Sequence, residues 1–393
     1  MENGNSKIVR FFVTVMMVLP AISNAADPNH QTAGRTSQAH TVVTIIGDQF
    51  FINGQPTYKG RIWRGCKIEG LLMNARLVQG IFDDLNPATV HRWAYSETEP
   101  WDPERNTREF LVAMPQWRSH GLLCAVLNLQ GGSPEGYSVE QPWHNSAISP
   151  DGSLRPDYMR RLKSIIDRAD ELGMVIMLGI FYFGQDQRLQ GEEAVRRAVV
   201  NTVDWVADQG YRNVLIEIAN ECDNRAYDHD IIRPERVNEL IQLAQDRSKQ
   251  QDHPLAVSVS FNGGSVPTPN VVRSADYILM HGNGVRSPQR MAQMIQTVRQ
   301  MKEYTPKPIV INEDDSPWRY PEQGLDEEGN NFVICIANYA SWGYFDFRQA
   351  GEGFDEGFQS VPVNWQISSQ RKRAFFKLLA DITGHGTNSS SSP

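Results

Sequence analysis

With 393 residues, 40% of them hydrophobic and 21% charged, the chain is long enough for one large domain and too apolar for wholesale disorder. Its net charge of -8 argues against nucleic acid as a partner, since phosphates demand a basic face, and leaves neutral ligands open. The cysteines, Cys66, Cys124, Cys222 and Cys335, lie far apart without a CxxC pair, which argues against a zinc site and permits a disulfide without signalling one.

Residues 1–25 carry a three-part export pattern. Lys7 and Arg10 give a weakly basic start, Phe11 to Ile22 is apolar, and Ser23-Asn24-Ala25 places small residues where a signal peptidase reads. The apolar run is shorter than the roughly 20 residues a membrane span needs. The expectation is a secreted or periplasmic protein, free of the membrane after cleavage behind Ala25. Residues 26–40 are polar and patternless, a flexible lead-in, and residues 384–393 are a Gly/Ser/Asn-rich disordered tail. Residues 41–383 are expected to form one domain.

That domain opens with Val42 to Ile46 and Gln49 to Ile52 around Gly47-Asp48, a strand-turn-strand signature expected to cap the floor of a barrel built from the rest of the domain. Short apolar runs then alternate with longer stretches of helical spacing, which argues for a parallel sheet with crossover helices. The expected strands are Arg76 to Phe82, Leu122 to Leu129, Met174 to Tyr182, Val214 to Ala219, Leu255 to Ser260, Tyr277 to Met280, Ile309 to Ile311 and, more weakly, Gly343 to Phe347. Met159, Leu162, Ile165, Ile166 and Ala169 form one helical stripe; Val195, Val199, Val203 and Val206 form another, with Trp205 beside it as core. Gly173 follows the first helix where a C-cap wants positive φ. Eight strands in this order favour a closed (β/α)8 barrel. An open doubly wound sheet has no supporting cue, because no GxGxxG opens the first crossover.

Polar residues collect at the C-terminal ends of these strands: Asp84, Gln130, Asn220-Glu221, His281 and Asn312-Glu313. In a parallel barrel those ends share one face, where such folds place their sites. Glu221 and Glu313 are the sharpest pair. Cleaving a glycosidic bond needs one protonated carboxyl to assist the leaving oxygen and one ionised carboxylate at the anomeric carbon. Two matched Asn-Glu endings fit that demand better than two solvated loop acids. Glu217, four residues before Glu221, points the same way into the barrel. It reads as structural, with Arg76 as its candidate partner.

The two Asn-Glu endings, with Phe51-Ile52-Asn53-Gly54-Gln55-Pro56 ahead of them, resemble the large clan of retaining (β/α)8 glycoside hydrolases that includes the cellulase-like family 5. The resemblance covers roughly residues 45 to 382. It implies that Glu221 is the acid/base, Glu313 the nucleophile, and Asn220 a hydrogen-bond partner of the sugar 2-hydroxyl. It also implies that Trp342 is the tryptophan flooring the first subsite. There are departures. An arginine frequent at the end of strand 2 is replaced by Asn128-Leu129-Gln130, the usual His-x-Tyr by His281-Gly282-Asn283, and the proline after the first glutamate by Cys222.

Further ligand contacts are expected from His281, Gln130, Asp84 and the loop aromatics Tyr182, Trp318 and Trp342, with Trp143 balanced between a sugar platform and core packing. The acid pairs Asp83-Asp84 and Asp314-Asp315 read as hydroxyl grips, a cation seat or solvated loops. The expectation is therefore a monomeric retaining O-glycoside hydrolase that needs no cofactor and has a carbohydrate as its partner. The alternatives are a catalytically silent sugar-binding barrel and a metal-dependent hydrolase using His281 and the aspartates, the latter weakened by the lack of an HxH or HExxH cluster.

Overall fold

The computed structural model describes residues 40–98, 100–138, 140–320, 323–325 and 329–385. The export pattern lies outside these residues, as does all of the lead-in except His40 and all of the expected tail beyond His385. Among the described residues no helix is long and apolar enough to cross a membrane.

The chain enters through an antiparallel pair, Val43–Ile46 with Gln49–Ile52, turned at Gly47 (φ 61°). Asn53 and Gly54 both adopt positive φ, as a two-residue hairpin turn requires, and return the chain as a short third strand, Gln55–Pro56. The unit sits at the barrel floor. Val43 N–H donates to the Arg212 carbonyl, and the buried Phe50 ring meets Tyr277 edge-on at 6.3 Å. Arg212 and Tyr277 each lie just ahead of a barrel strand.

Eight parallel strands complete the sheet: β1 Asn74–Arg76, β2 Cys124–Asn128, β3 Val175–Tyr182, β4 Val214–Asn220, β5 Val257–Ser258, β6 Ile278–His281, β7 Ile309–Asp314 and β8 Ser341–Tyr344. They pair in chain order from β1 to β5 and from β6 through β8 back to β1. The fold is a (β/α)8 barrel in which one junction, β5 to β6, carries no strand ladder among the described residues. There Asp276 N–H donates to the Val257 carbonyl, and the Ser258 hydroxyl to the Tyr277 carbonyl.

The helices are α1 Pro103–Ser119, α2 Pro156–Leu172, α3 Glu192–Asp208, α4 Val237–Gln250, α5 Pro269–Ser274, α6 Pro288–Gln300, α7 Ser316–Arg319, α8 Asn331–Ala337 and α9 Gln370–Thr383. Both expected stripes face inward: Leu162, Ile165 and Ile166 of α2 and Val195, Val199 and Val203 of α3 are fully buried. Gly173 caps α2 at φ 69°, its N–H reaching back to the Ala169 and Asp170 carbonyls. Trp205 is only half-buried and tilts over Tyr211 at 5.8 Å, so it borders the core instead of filling it.

Every strand departs from its expected bounds by at least one residue, and β7 runs on through Glu313 to Asp314 instead of ending at Ile311. The first begins two residues earlier and ends at Arg76, and Val78–Ile81 winds into a 3-10 turn. That apolar run is buried on every side, and apolar content alone does not separate a strand from a buried turn. The eighth starts at Ser341 instead of Gly343, which places Trp342 inside it. The fifth contracts to two residues because the unlaced junction leaves it one partner.

The barrel interior is unusually polar, with Asn74, Arg76, Asn128, Glu217 and Asn312 all buried. Glycines on the neighbouring strands make room for two of these amides. A Cβ on Gly179 would lie 2.3 Å from Asn128 Oδ1, and one on Gly343 would lie 2.0 Å from Asn74 Oδ1 and 2.9 Å from the Ile311 carbonyl. Gly343→Ala should therefore destabilise the fold by ~1–3 kcal/mol through overpacking. Urea unfolding would read this as a lowered midpoint, and an unchanged midpoint would refute the packing argument.

Candidate active site

The strand ends deliver their polar residues to one place. Glu221 follows β4 directly, and its backbone sits at φ 52°, a left-handed conformation that a non-glycine residue holds only at a cost of about 1–3 kcal/mol. The turn is braced by the chain just past β5: Glu221 N–H donates to Ser260 Oγ at 2.9 Å, and Cys222 N–H to the Ser260 carbonyl at 3.0 Å. Cys222, where the resembled pattern has proline, is fully buried beneath it. Glu313 lies in β7 opposite His281 of β6, and register shifts flank this pairing on both sides. Such irregularities re-aim side chains at strand ends.

Glu221, His281 and Glu313 converge, each offering an atom within 4.8 Å of the others. His281 Nδ1 is 3.0 Å from Glu221 Oε1 and 3.6 Å from Glu313 Oε2, so the imidazole spans the pair. Burial holds the His281 pKa below the usual value, with Glu313 pulling the other way. Arg76 Nε ion-pairs with Glu313 Oε2 at 2.6 Å, and its Nη2 donates to Asn220 Oδ1 at 2.8 Å. The other Glu313 oxygen accepts from Asn283 Nδ2 at 2.5 Å. Asn283 stands where the resembled pattern carries tyrosine.

The surroundings raise the pKa of both acids. Burial pushes Glu221 up to about 7, with Arg76 opposing and Asp223 adding to the rise. Glu313 is raised by burial too, but Arg76 and His281 pull it down and Asn283 hydrogen-bonds its charged form. Burial also works against the Arg76 charge, yet Glu313 and then Glu217 hold its pKa above the ordinary arginine value. Arg76 is thus the ion partner of Glu313, not of Glu217 as expected from sequence. Glu217 instead accepts from Asn312 Nδ2 at 3.4 Å.

A cleft of about 440 Å³ opens over Glu221, lined also by Tyr182, Phe183, Tyr137, Gln141, Asn224 and Arg225. Tyr182 and Phe183 stack at 4.2 Å, giving the wall an aromatic surface. Tyr137 crosses from the loop after β2, and its hydroxyl donates to Asp315 Oδ2 at 3.0 Å. Of the residues nominated from sequence, Glu221, Glu313, Asn220, His281 and Tyr182 come together. Five others are engaged elsewhere. Asp84 is buried and accepts from Thr89, Trp93 and the His144 amide. Gln130 is buried and ties the Tyr182 amide to the Gln185 carbonyl. Trp342 is fully buried, stacked on Phe332 at 4.5 Å with its indole N–H on Asp314 Oδ2, and so presents no face to a ligand. Trp318 donates to the Phe345 carbonyl and packs on Phe347, half-buried at the rim. Trp143 is buried against Trp93 and belongs to the core.

Sequence reasoning missed Asn283, Tyr137 and the role of Arg76. Asn283 was legible as a departure at a strand end; Tyr137 lies in a long loop without a positional cue. As for metals, the Glu221–His281–Glu313 group has the spacing to seat a cation, but the Arg76 guanidinium already supplies the positive charge against Glu313. The aspartates do not join it: Asp314 is engaged by Trp342 and Asn331, and Asp315 by Arg319 and Tyr137.

Arg76→Met should leave Glu313 buried without its counter-ion and destabilise the protein by ~3–5 kcal/mol near neutral pH. The pH dependence has a definite sign. Without Arg76 the folded pKa of Glu313 climbs further above its unfolded value, so the stability that rests on its protonated form is present at low pH and is lost as pH rises through the folded pKa. The deficit measured by urea unfolding should be larger at pH 8 than at pH 5, and an equal deficit at both would refute the pairing.

No family model matches the sequence, and no curated protein matches it. Solved structures do match in fold. A glycoside hydrolase family 5 enzyme from Prevotella bryantii superposes with a TM-score of 0.54 at 10% identity, over 80% of this chain and 96% of that one. A β-mannanase from the blue mussel Mytilus edulis gives 0.51 at 11% identity, over 88% and 97%. A Bacteroides vulgatus protein described as a candidate glycoside hydrolase gives 0.52 at 14% identity over 87% of this chain, which spans only 60% of that longer one.

Proposed function

We propose that this chain is a retaining O-glycoside hydrolase acting on a poly- or oligosaccharide. The carrying observation is that one carboxyl oxygen of Glu221 and one of Glu313 lie within 4.8 Å of each other at the mouth of the barrel. Retaining enzymes hold their carboxyls about 5–5.5 Å apart, whereas inverting enzymes leave about 6.5–9.5 Å for a water molecule.

The roles follow from the surroundings. Glu313, held as a carboxylate by Arg76 and Asn283, attacks the anomeric carbon and forms a glycosyl ester. Glu221, protonated up to about pH 7, gives its proton to the leaving oxygen. Forming the ester removes the charge on Glu313, and like charges disfavour each other's ionised form, so Glu221 then ionises more readily and takes a proton from the incoming water. Asn220, oriented by Arg76, faces the sugar hydroxyl next to the breaking bond, and Tyr182 with Phe183 offers an apolar surface to a sugar ring. The protein is proposed to act outside the cytoplasm, exported by the pattern at residues 1–25, and to work as a monomer without a cofactor.

Screening the protein against plant, algal and bacterial polysaccharides should reveal hydrolysis that Glu313→Gln abolishes. Proton NMR of the first products should show the anomeric configuration kept; inversion would sink the double displacement. Glu221→Gln should slow kcat/KM about 10²- to 10⁴-fold on unactivated substrates. In the parent, kcat/KM should fall about tenfold per pH unit above about 7 as Glu221 loses its proton. A rate flat from pH 6 to 9 would end that assignment.

A further inference from the structure

The cleft wall holds one feature that the reaction above does not use. Arg225, in the turn that carries Glu221, is exposed, lines the cleft, and makes no hydrogen bond or ion pair among the described residues. Its backbone is not loose. Asn224 N–H donates to the Glu221 carbonyl at 2.8 Å, Asn224 Oδ1 accepts from Ala226 N–H at 3.0 Å, and the Ala226 carbonyl accepts from Gly184 N–H at 3.3 Å. The guanidinium is therefore presented from a pinned turn.

The other arginines around the mouth are committed. Arg76 is paired with Glu313, Arg319 with Asp315, Arg371 with Glu352, and Arg188 is spent on Gln185 and the Trp143 carbonyl. Arg225 thus leaves a local positive charge without a counter-ion among the described residues. Neutral sugar hydroxyls have other partners on the same wall, in Ser138, Gln141 and Asn224. A guanidinium adds charge and a planar fork of donors suited to the two oxygens of an acid group. An anionic ligand would otherwise meet Glu313, Asp223 and a chain of net charge -8, so a fixed cation is what would let one settle there.

We propose that the cleft is built for an acidic saccharide, with Arg225 binding the carboxylate or sulfate group of a sugar unit beside Glu221. This inference rests on the glycosidase reading for what happens to that saccharide, but its binding test is independent of turnover. The Glu313→Gln protein, unable to form the glycosyl ester, is titrated calorimetrically with tetragalacturonate, a sulfated galactan tetrasaccharide, and the neutral tetrasaccharides of cellulose and mannan. An acidic arm should bind about tenfold or more tightly than the neutral arms, as one charge-assisted contact allows, and should weaken with added salt. Whichever acidic arm binds separates carboxylate from sulfate. Adding Arg225→Gln should erase the acidic preference, while Arg225→Lys should keep part of it. The proposal is overturned if no acidic arm exceeds the neutral ones, or if the preference survives Arg225→Gln. Arg225-dependent acid binding with no hydrolysis by the parent would uphold this inference and sink the glycosidase reading. Hydrolysis confined to neutral substrates and indifferent to Arg225→Gln would do the reverse.

Discussion

A charged guanidinium sealed inside the barrel is the constraint around which the site is built. Arg76 is 1% exposed, so bulk water cannot solvate it and its charge must be met by other side chains. Glu313 comes from β7, Asn220 from the end of β4, and the field of Glu217 from deeper in β4. Opposite strands of a barrel are tied to one point by this need. The polar interior, with Asn74, Asn128 and Asn312 lodged against glycines or sulfur, extends the same logic downward. A core of this kind sacrifices some hydrophobic stabilisation and in return fixes where each acid stands.

The two glutamates differ because their surroundings differ. Glu313 is gripped by charged and neutral donors, whereas Glu221 sits on a strained turn under burial with no cation in direct contact among the described residues. Strain and desolvation act on the same residue, and both are offset by the Ser260 brace and the His281 ring. His281 touches both acids, and burial disfavours the charged form of its ring.

Much of this was legible in the residues. Strand ends rich in Asn and Glu stood out because apolar runs stop abruptly there, and the barrel rule converts such endings into a shared face. What stayed hidden was decided by side-chain direction. Asp84, Gln130 and Trp342 occupy the right stretches of chain, but each turns to a local partner: Trp93, the Tyr182 amide and Asp314 respectively. Arg76 was placed on the correct strand and given the wrong acid, because Glu217 and Glu313 are equally plausible from spacing and only the depth of each in the barrel separates them. Strand β1 slid by two residues because Leu77 to Phe82 is as apolar as a strand while winding as a turn. The aromatic wall was half visible in Tyr182; its partner Phe183 was not.

The unlaced junction between β5 and β6 has a bearing on how the protein moves. A cylinder stitched all the way round resists changes in girth, and one with an open seam can widen there by stretching a few hydrogen bonds. Ser260 stands just past β5 on one lip of that seam, and His281 ends β6 on the other. Glu221 is held from both lips at once. A shift across that seam would therefore reach Glu221, the proposed acid/base, from both sides.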